Sequence, residues 1–459
     1  MFFKFEGKRQ EKTPAFKIES MKNKPVNYFR ISSFINEEAY GGLLLILATI
    51  AALIWANSSY YESYHHVWHE IKVGIAWGDI DLISSIHHWI NDGLMALFFF
   101  VVGLEIKREV MGGELSTLKK AALPIAAAVG GMVLPALLYL TFNLGSPEYD
   151  NGWGIPMATD IAFALGLLAL LGKRVPLNLK IFLTALAIAD DLGAVMVIAV
   201  FYTDTIDFYE LIYASFFLAV LIIANLAGVR KTLFYALVGF AGVWIAFVYS
   251  GVHATIAGVL IALTIPARTQ IDETDYITRL SELLAKYKKQ DKDPDSSLLT
   301  KGQVHVLTEI TELNERAHTP LQRIEHTLHP VTAYFILPVF ALSNAGVHID
   351  GKVIDMLFHP ISIGIVLGLV LGKLLGITLF SKLIVRLKLA ALPEGVQWSH
   401  IYGAALLAGI GFTMSMFISD LAFDDDKYIQ IAKVGIMAAS LVSAVLGMLW
   451  LGFTGRKSE

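Results

Sequence analysis

Long apolar runs alternate with short polar clusters along almost the whole chain. Twelve runs stand out, at approximately 40–57, 86–104, 121–142, 155–171, 179–202, 211–227, 232–250, 252–266, 331–345, 358–380, 401–421 and 429–453. Crossing a bilayer takes roughly 20 apolar residues. In lipid, a segment that is not part of a closed barrel meets its backbone hydrogen bonds as a helix. The pattern therefore predicts an all-α polytopic membrane protein with 12 transmembrane helices. Runs seven and eight resemble one segment, but Lys231 and Arg268 bracket them 37 positions apart, too far for one crossing. Tyr249-Ser250-Gly251 supplies the turn between them. After run one, residues 71–83 alternate about Gly78-Asp79, which predicts a short β-hairpin.

Polar stretches set the expected boundaries. Residues 1–37 form a tail without periodicity, 38–267 hold spans 1–8, 268–328 a polar insert, 329–455 spans 9–12, and 456–459 the C-terminus. Within the insert, Leu280, Leu283 and Leu284 have helical spacing and 286–297 is a charged break, so a small helical appendage is expected.

Composition agrees with this reading. The 459 residues are 55% hydrophobic and 17% charged, with mean hydropathy +0.60, against about 25% charged in soluble domains. The net charge of −4 gives no nucleic-acid footprint. Absence of cysteine excludes disulfides, thiol catalysis and Cys-ligated metal. Residues 1–38 are too polar to hold the apolar core of a signal peptide, so the first run is read as a retained helix. Of 36 Lys and Arg, 31 fall in the termini and even-numbered connections, three in odd-numbered ones, and Lys373 and Lys433 inside spans. The positive-inside rule then places both termini in the cytoplasm.

Candidate chemistry sits where charge interrupts the apolar runs. Span 5 carries Asp190 and Asp191 side by side. A charge at the bilayer centre costs at least ~2.5–3.5 kcal/mol. Adjacent helical positions point about 100° apart, so one Asp can face an aqueous cavity while the other meets a neighbouring helix. A cation or proton site and a buried structural ion pair are the two readings. Span 4 has Gly152, Gly154 and Pro156, then Thr159 and Asp160, a helix-start signature in mid-membrane. Span 11 has Gly409, Gly411, Thr413 and Ser415. Two interrupted segments in corresponding positions point to a transporter's binding site; a plain kink is the alternative for each.

Other candidates lie nearer the span ends. Lys373 in span 10 is either buried or snorkelling, and Lys433 near the end of span 12 is read as snorkelling. Glu105 and Glu109 lie i,i+4 at the end of span 2, and Glu325, His326 and His329 lead into span 9. His titrates near physiological pH, so a proton-sensing cluster and ordinary polar helix ends both fit. His253 opens span 8. His65, His66, His69 and Glu70 are read as wet loop surface, with a metal site as the alternative.

Ala-Thr-Asp-Ile-Ala-Phe-Ala at 158–164, Ala-Asp-Asp-Leu-Gly at 189–193, Gly-Leu-Glu-Ile-Lys-Arg-Glu at 103–109, Gly-Val-His-Ala-Thr at 251–255, Leu-His-Pro at 328–330, Asn-Ala-Gly-Val at 344–347, Gly-Lys at 372–373 and Gly-Ile-Gly-Phe-Thr-Met-Ser at 409–415 closely resemble the NhaA-type bacterial sodium/proton antiporters. The match covers 40–455 apart from 268–320. The resemblance implies inverted repeats with two crossed broken helices, spans 4 and 11. It implies Asp191 as the principal Na⁺ and H⁺ carrier, with Asp190 joining it and pairing with Lys373 in one state. Asp160 with Thr159 would neutralise half-helix ends at the crossing. Glu105, Glu109, Glu325, His326 and His329 would form a cytoplasmic pH-responsive cluster, with His253 a further pH-response residue. The transported ions would be Na⁺, Li⁺ and H⁺, exchanged electrogenically across the bacterial inner membrane. The hairpin would join a homodimer. No cofactor and no metal beyond transported Na⁺ is implied. The tail, the insert and Asp420 depart from the family pattern.

The residues themselves suggest how exchange works. Desolvation raises a carboxyl's pKa, so it holds a proton near neutral pH or yields it to Na⁺. One site unable to hold both gives exchange. The rivals are an intramembrane aspartyl protease and a cation channel. The protease's Gly-x-Gly-Asp pattern is absent from spans 4 and 5, and neither rival accounts for Lys373.

Overall fold

The computed structural model describes residues 27–455 except 75, 78–79, 204–205, 291–297, 349–350 and 352. Most of the expected tail, residues 456–459, the hairpin's Gly78-Asp79 turn and much of the charged break lie outside the described residues. The chain is mostly helical. Among the described residues eight helices are long and apolar enough to cross a membrane, or nine if the bent pair counts as one span.

In chain order the helices are α1 (Asn27–Ala56), which starts inside the segment read as tail, α2 (Ile86–Gly112) and α3 (Leu118–Asn143). A 3-10 stretch, Asp150–Met157, then leads into α4 (Ile161–Leu170). Next come α5 (Leu177–Phe201), α6 (Phe208–Leu226), α7 (Thr232–Ser250) and α8 (Ala254–Thr264). The insert gives α9 (Glu273–Lys288) and α10 (Lys301–Ala317). The chain continues through α11 (Pro320–Val331), α12 (Leu337–Asn344) and α13 (Pro360–Arg386). A bent pair, α14 (Trp398–Leu407) and α15 (Phe412–Ala422), precedes α16 (Asp426–Thr454); the bend is 48°.

Small residues set the packing that matters for the site. Helices in lipid gain no hydrophobic drive from meeting, so close backbone approach over glycine favours contact. A Cβ on Gly376 of α13 would fall 2.0 Å from the Gly130 carbonyl of α3, and one on Gly372 would fall 2.7 Å from Pro135 Cα. On the other side of α3, a Cβ on Gly193 of α5 would strike Met132. Helix α3 is thus clamped between α5 and α13. The α7–α8 turn uses Gly251 at φ +79°, a left-handed conformation that glycine adopts without strain.

Beyond α1, Lys72–Val73 pairs antiparallel with Ser84–Ser85, and Ala76–Trp77 with Ile80–Asp81. The registers are continuous, so one hairpin carries both ladders, and it reaches Ser85 rather than Ile83.

Candidate ion site

The interrupted backbone of 158–160 meets that of 408–413. Thr159 Oγ1 donates to the Ala408 carbonyl at 2.8 Å, and the Asp160 N–H to the Ile410 carbonyl at 2.7 Å. Asp160 is the N-cap of α4, its Oδ1 accepting from the Phe163 N–H at 2.9 Å. Its Oδ2 accepts from the Thr413 N–H at 3.1 Å and Thr413 Oγ1 at 2.5 Å, in the first turn of α15. One carboxylate thus serves two helix N-termini, where orphan N–H groups and the helix dipole favour negative charge. Glycine permits this approach: a Cβ on Gly409 would lie 2.5 Å from the Leu369 carbonyl, and one on Gly411 3.1 Å from the Ala158 carbonyl.

The clamp on α3 brings α13 to α5. Lys373 is fully buried, and its Nζ donates to Asp190 Oδ2 at 2.7 Å. A Cβ on Gly131 would fall 3.0 Å from Ile377 Cγ1, one turn along α13 from Lys373, so glycine here lets α13 lie close to α3. Asp191 is equally buried, yet neither of its oxygens accepts a hydrogen bond among the described residues. It lines a cavity of about 100 Å³ shared with Asp160, Thr413 and Glu105.

That cavity shares Arg108, Leu165, Thr184 and His329 with a larger one of about 1190 Å³ at the Glu105 end. Helix α10 walls the larger space through Thr311, Asn314 and Glu315. Arg108 pairs with Glu325 and, at 3.0 Å, with Glu109. His329 Nδ1 lies 3.6 Å from Glu105 Oε1. Burial raises the Glu325 carboxyl against the pull of Arg108.

The structure therefore gathers Asp160, Thr159, Gly409, Gly411 and Thr413 at one junction, and Asp190 with Lys373 beside it. Glu105, Glu109, Glu325 and His329 meet around Arg108. His326 is exposed and reaches only the larger cavity. His253 belongs elsewhere: its Nδ1 lies 2.8 Å from Thr255 Oγ1 and its Nε2 3.7 Å from Asp92, more than three turns back along α2 from Glu105. Arg108 and Thr184 were missed, although Arg108 sits inside the quoted 103–109 motif. Lys433 does not snorkel: it is 7% exposed and 3.1 Å from Asp420. A buried anion within reach holds the ammonium more firmly than the route to the interface. Glu70 occupies His66, at 2.7 Å, and no group of three or more His, Cys, Asp or Glu suited to a metal occurs among the described residues.

Comparison with known proteins decides the family. The model of the family described as Na⁺/H⁺ antiporter 1 matches residues 32–451. The chain belongs to this antiporter family. It is 51% identical over 421 residues to a protein named Na(+)/H(+) antiporter NhaA 1 from Psychromonas ingrahamii, covering 91% of this chain and 95% of that one. The NhaA antiporter of Oleidesulfovibrio alaskensis is 50% identical over 93% of this chain and 94% of its own. That of Helicobacter pylori (strain HPAG1) is 46% identical over 92% and 94%. The Na⁺/H⁺ antiporter family accommodates the multi-pass architecture, and no relative cited supports the protease reading.

Proposed function

We propose that this protein exchanges Na⁺ for H⁺ across a membrane, with Asp191 carrying either ion in turn. The observation behind this is the unpartnered Asp191 carboxylate in a cavity beside the double helix cap. A carboxylate without hydrogen-bond donors is free to take a proton or a cation. Asp190, held by Lys373, is the nearby second acid: sodium entering beside Asp191 competes with Lys373 for it. Asp160 and Thr159 hold the two interrupted segments in register, and Thr413 with Gly409 and Gly411 completes that junction.

The architecture we propose has twelve spans in inverted repeats, with spans 4 and 11 as crossed broken helices. Eight long helices and the bent pair are joined by the shorter Tyr40–Ala56 and Ala254–Thr264 and by the helical run 332–344. Lys and Arg asymmetry puts both termini and the insert in the cytoplasm, hence the Glu105 end inside and the hairpin outside. The membrane is the bacterial inner membrane, the hairpin joins two protomers, Li⁺ shares the Na⁺ route, and exchange is electrogenic. The cluster around Arg108, at the neck between the cavities, sets the pH response. The test is sodium-driven proton movement in inside-out vesicles, with Asp191→Asn as the control. Undiminished flux in that variant sinks the assignment.

A further inference from the structure

Asp420, two turns beyond Thr413 on α15, is only 10% exposed. Its Oδ1 lies 3.1 Å from Lys433 Nζ of α16, in charge contact rather than hydrogen-bond geometry. Its Oδ2 accepts from Asn91 Nδ2 of α2 at 3.0 Å and lies 3.6 Å from His87 Nε2, also on α2. Asn91 Oδ1 accepts in turn from Asn344 Nδ2 at 3.1 Å, and His87 Nδ1 lies 3.0 Å from Ser343 Oγ, both at the end of α12. A single carboxylate therefore ties α15 to α16 directly, to α2 directly, and to α12 through Asn91.

Beneath this polar layer, toward Asp160, lies an aromatic one. The Phe417 ring sits 5.7 Å from Phe99 and 6.4 Å from Phe340, and His253 meets it edge-on at 5.4 Å. Both layers lie on the side of the junction away from the cavity that reaches Asp191 from the Glu105 end.

A buried ion pair is a poor stabiliser, because desolvation offsets most of the attraction. It is a good two-state contact. While the surrounding helices are closed, each charge depends on the other. Once they part and water enters, both are solvated and the pair dissolves cheaply. We infer that Asp420 and Lys433 are positioning residues for the exchange, an ionic latch that keeps the outer route shut while the inner one is open. This rests on the antiport reading above.

The test uses the full chain in inside-out and right-side-out vesicles. Lys433→Met leaves the Asp420 carboxylate stranded in the closed state but solvated once the helices part. It therefore lowers the population of the inward-facing state. Apparent affinity scales with the competent fraction. The apparent KM for Na⁺ at the cytoplasmic face should rise roughly threefold or more, and that at the outer face should fall. Asn91→Ala, which leaves both charges in place, should shift the two values the same way by less. Adding Asp420→Asn to Lys433→Met removes the stranded charge and should bring both values back toward wild type. KM values that move together on both faces, or stay put in folded Asn91→Ala and in Lys433→Met, overturn the latch. Should Lys433→Met fail to fold, Asn91→Ala alone decides. Absence of exchange in wild-type vesicles would instead remove the antiport reading, and the latch with it.

Discussion

At the residue scale, two acids that are neighbours in sequence have different surroundings. Asp190 is hydrogen-bonded to Lys373, while Asp191 is buried without a donor. An amide in place of Asp191 fits the same space but cannot trade a proton for sodium. Asp191→Asn should therefore abolish sodium-driven proton flux while membrane yield and melting temperature stay close to wild type. Lys373→Ala should act oppositely, on stability first. Removing one partner of a buried pair costs about 3–5 kcal/mol, since the other is stranded. Adding Asp190→Asn should recover part of that loss in a thermal-unfolding cycle; simple additivity would mean the groups do not interact. The candidate residues were legible because charge in an apolar run is conspicuous. Helix geometry alone leaves open which aspartate meets the lysine, because the 100° offset allows either; only the family resemblance implies Asp190. The choice is made by Gly130, Gly376 and Gly193, which set the register of α13 and α5 on α3. The Asp420–Lys433 pair was hidden for a similar reason. Each residue looks like a span-end charge until packing of α15 on α16 brings them together.

At the scale of elements, hydrophobic runs located the helices and glycine clusters located the breaks. The run 155–171 did not reveal that its first part is a 3-10 stretch. Gly152, Gly154 and Pro156 weaken the α-helical ladder there, and the turn tightens instead. Backbone contact between α3 and α13 makes a sharp prediction. Gly376→Leu adds bulk where even a Cβ meets the Gly130 carbonyl at 2.0 Å. Overpacking commonly costs about 1–3 kcal/mol, and here backbone must move. The variant should melt well below wild type and lose Lys373–Asp190 contact, so its residual exchange should also be reduced. Detergent-solubilised protein with an unchanged melting temperature would refute the close contact.

At the scale of the whole molecule, the polar insert and the ion route meet. The sequence marked the insert as an appendage without a task, since amphipathic helices reveal a partner face but not the partner. In the structure α10 walls the larger cavity, and Glu325 and Arg108 line the same space. Burial already raises Glu325, so its proton is lost at a higher pH than an exposed carboxyl's. Below that pH the neutral acid leaves Arg108 paired with Glu109 alone, so more of its charge stands at the neck and repels sodium. Above it, the ion pair forms and the repulsion falls. Glu325→Gln fixes the neutral condition, so the pH at half-maximal exchange should move upward with little change in maximal rate at saturating Na⁺. Deleting 270–318 probes the same control from outside the membrane. The ends of the insert already lie together: the Gln270 N–H donates to the Arg316 carbonyl at 3.0 Å, and the Leu321 N–H to the Pro266 carbonyl at 3.1 Å. Closure therefore needs little rearrangement of α8 or α11. Removing α10 exposes the Glu325 side to water and reduces the desolvation that raises its pKa. The carboxyl then ionises at lower pH, and the midpoint should move downward, opposite to Glu325→Gln. Combining the two changes should leave the midpoint where Glu325→Gln alone puts it, because no carboxyl remains for the deletion to act on. A deletion that shifts the midpoint equally in both backgrounds would place the insert's influence on Glu105, Glu109 or His329 instead.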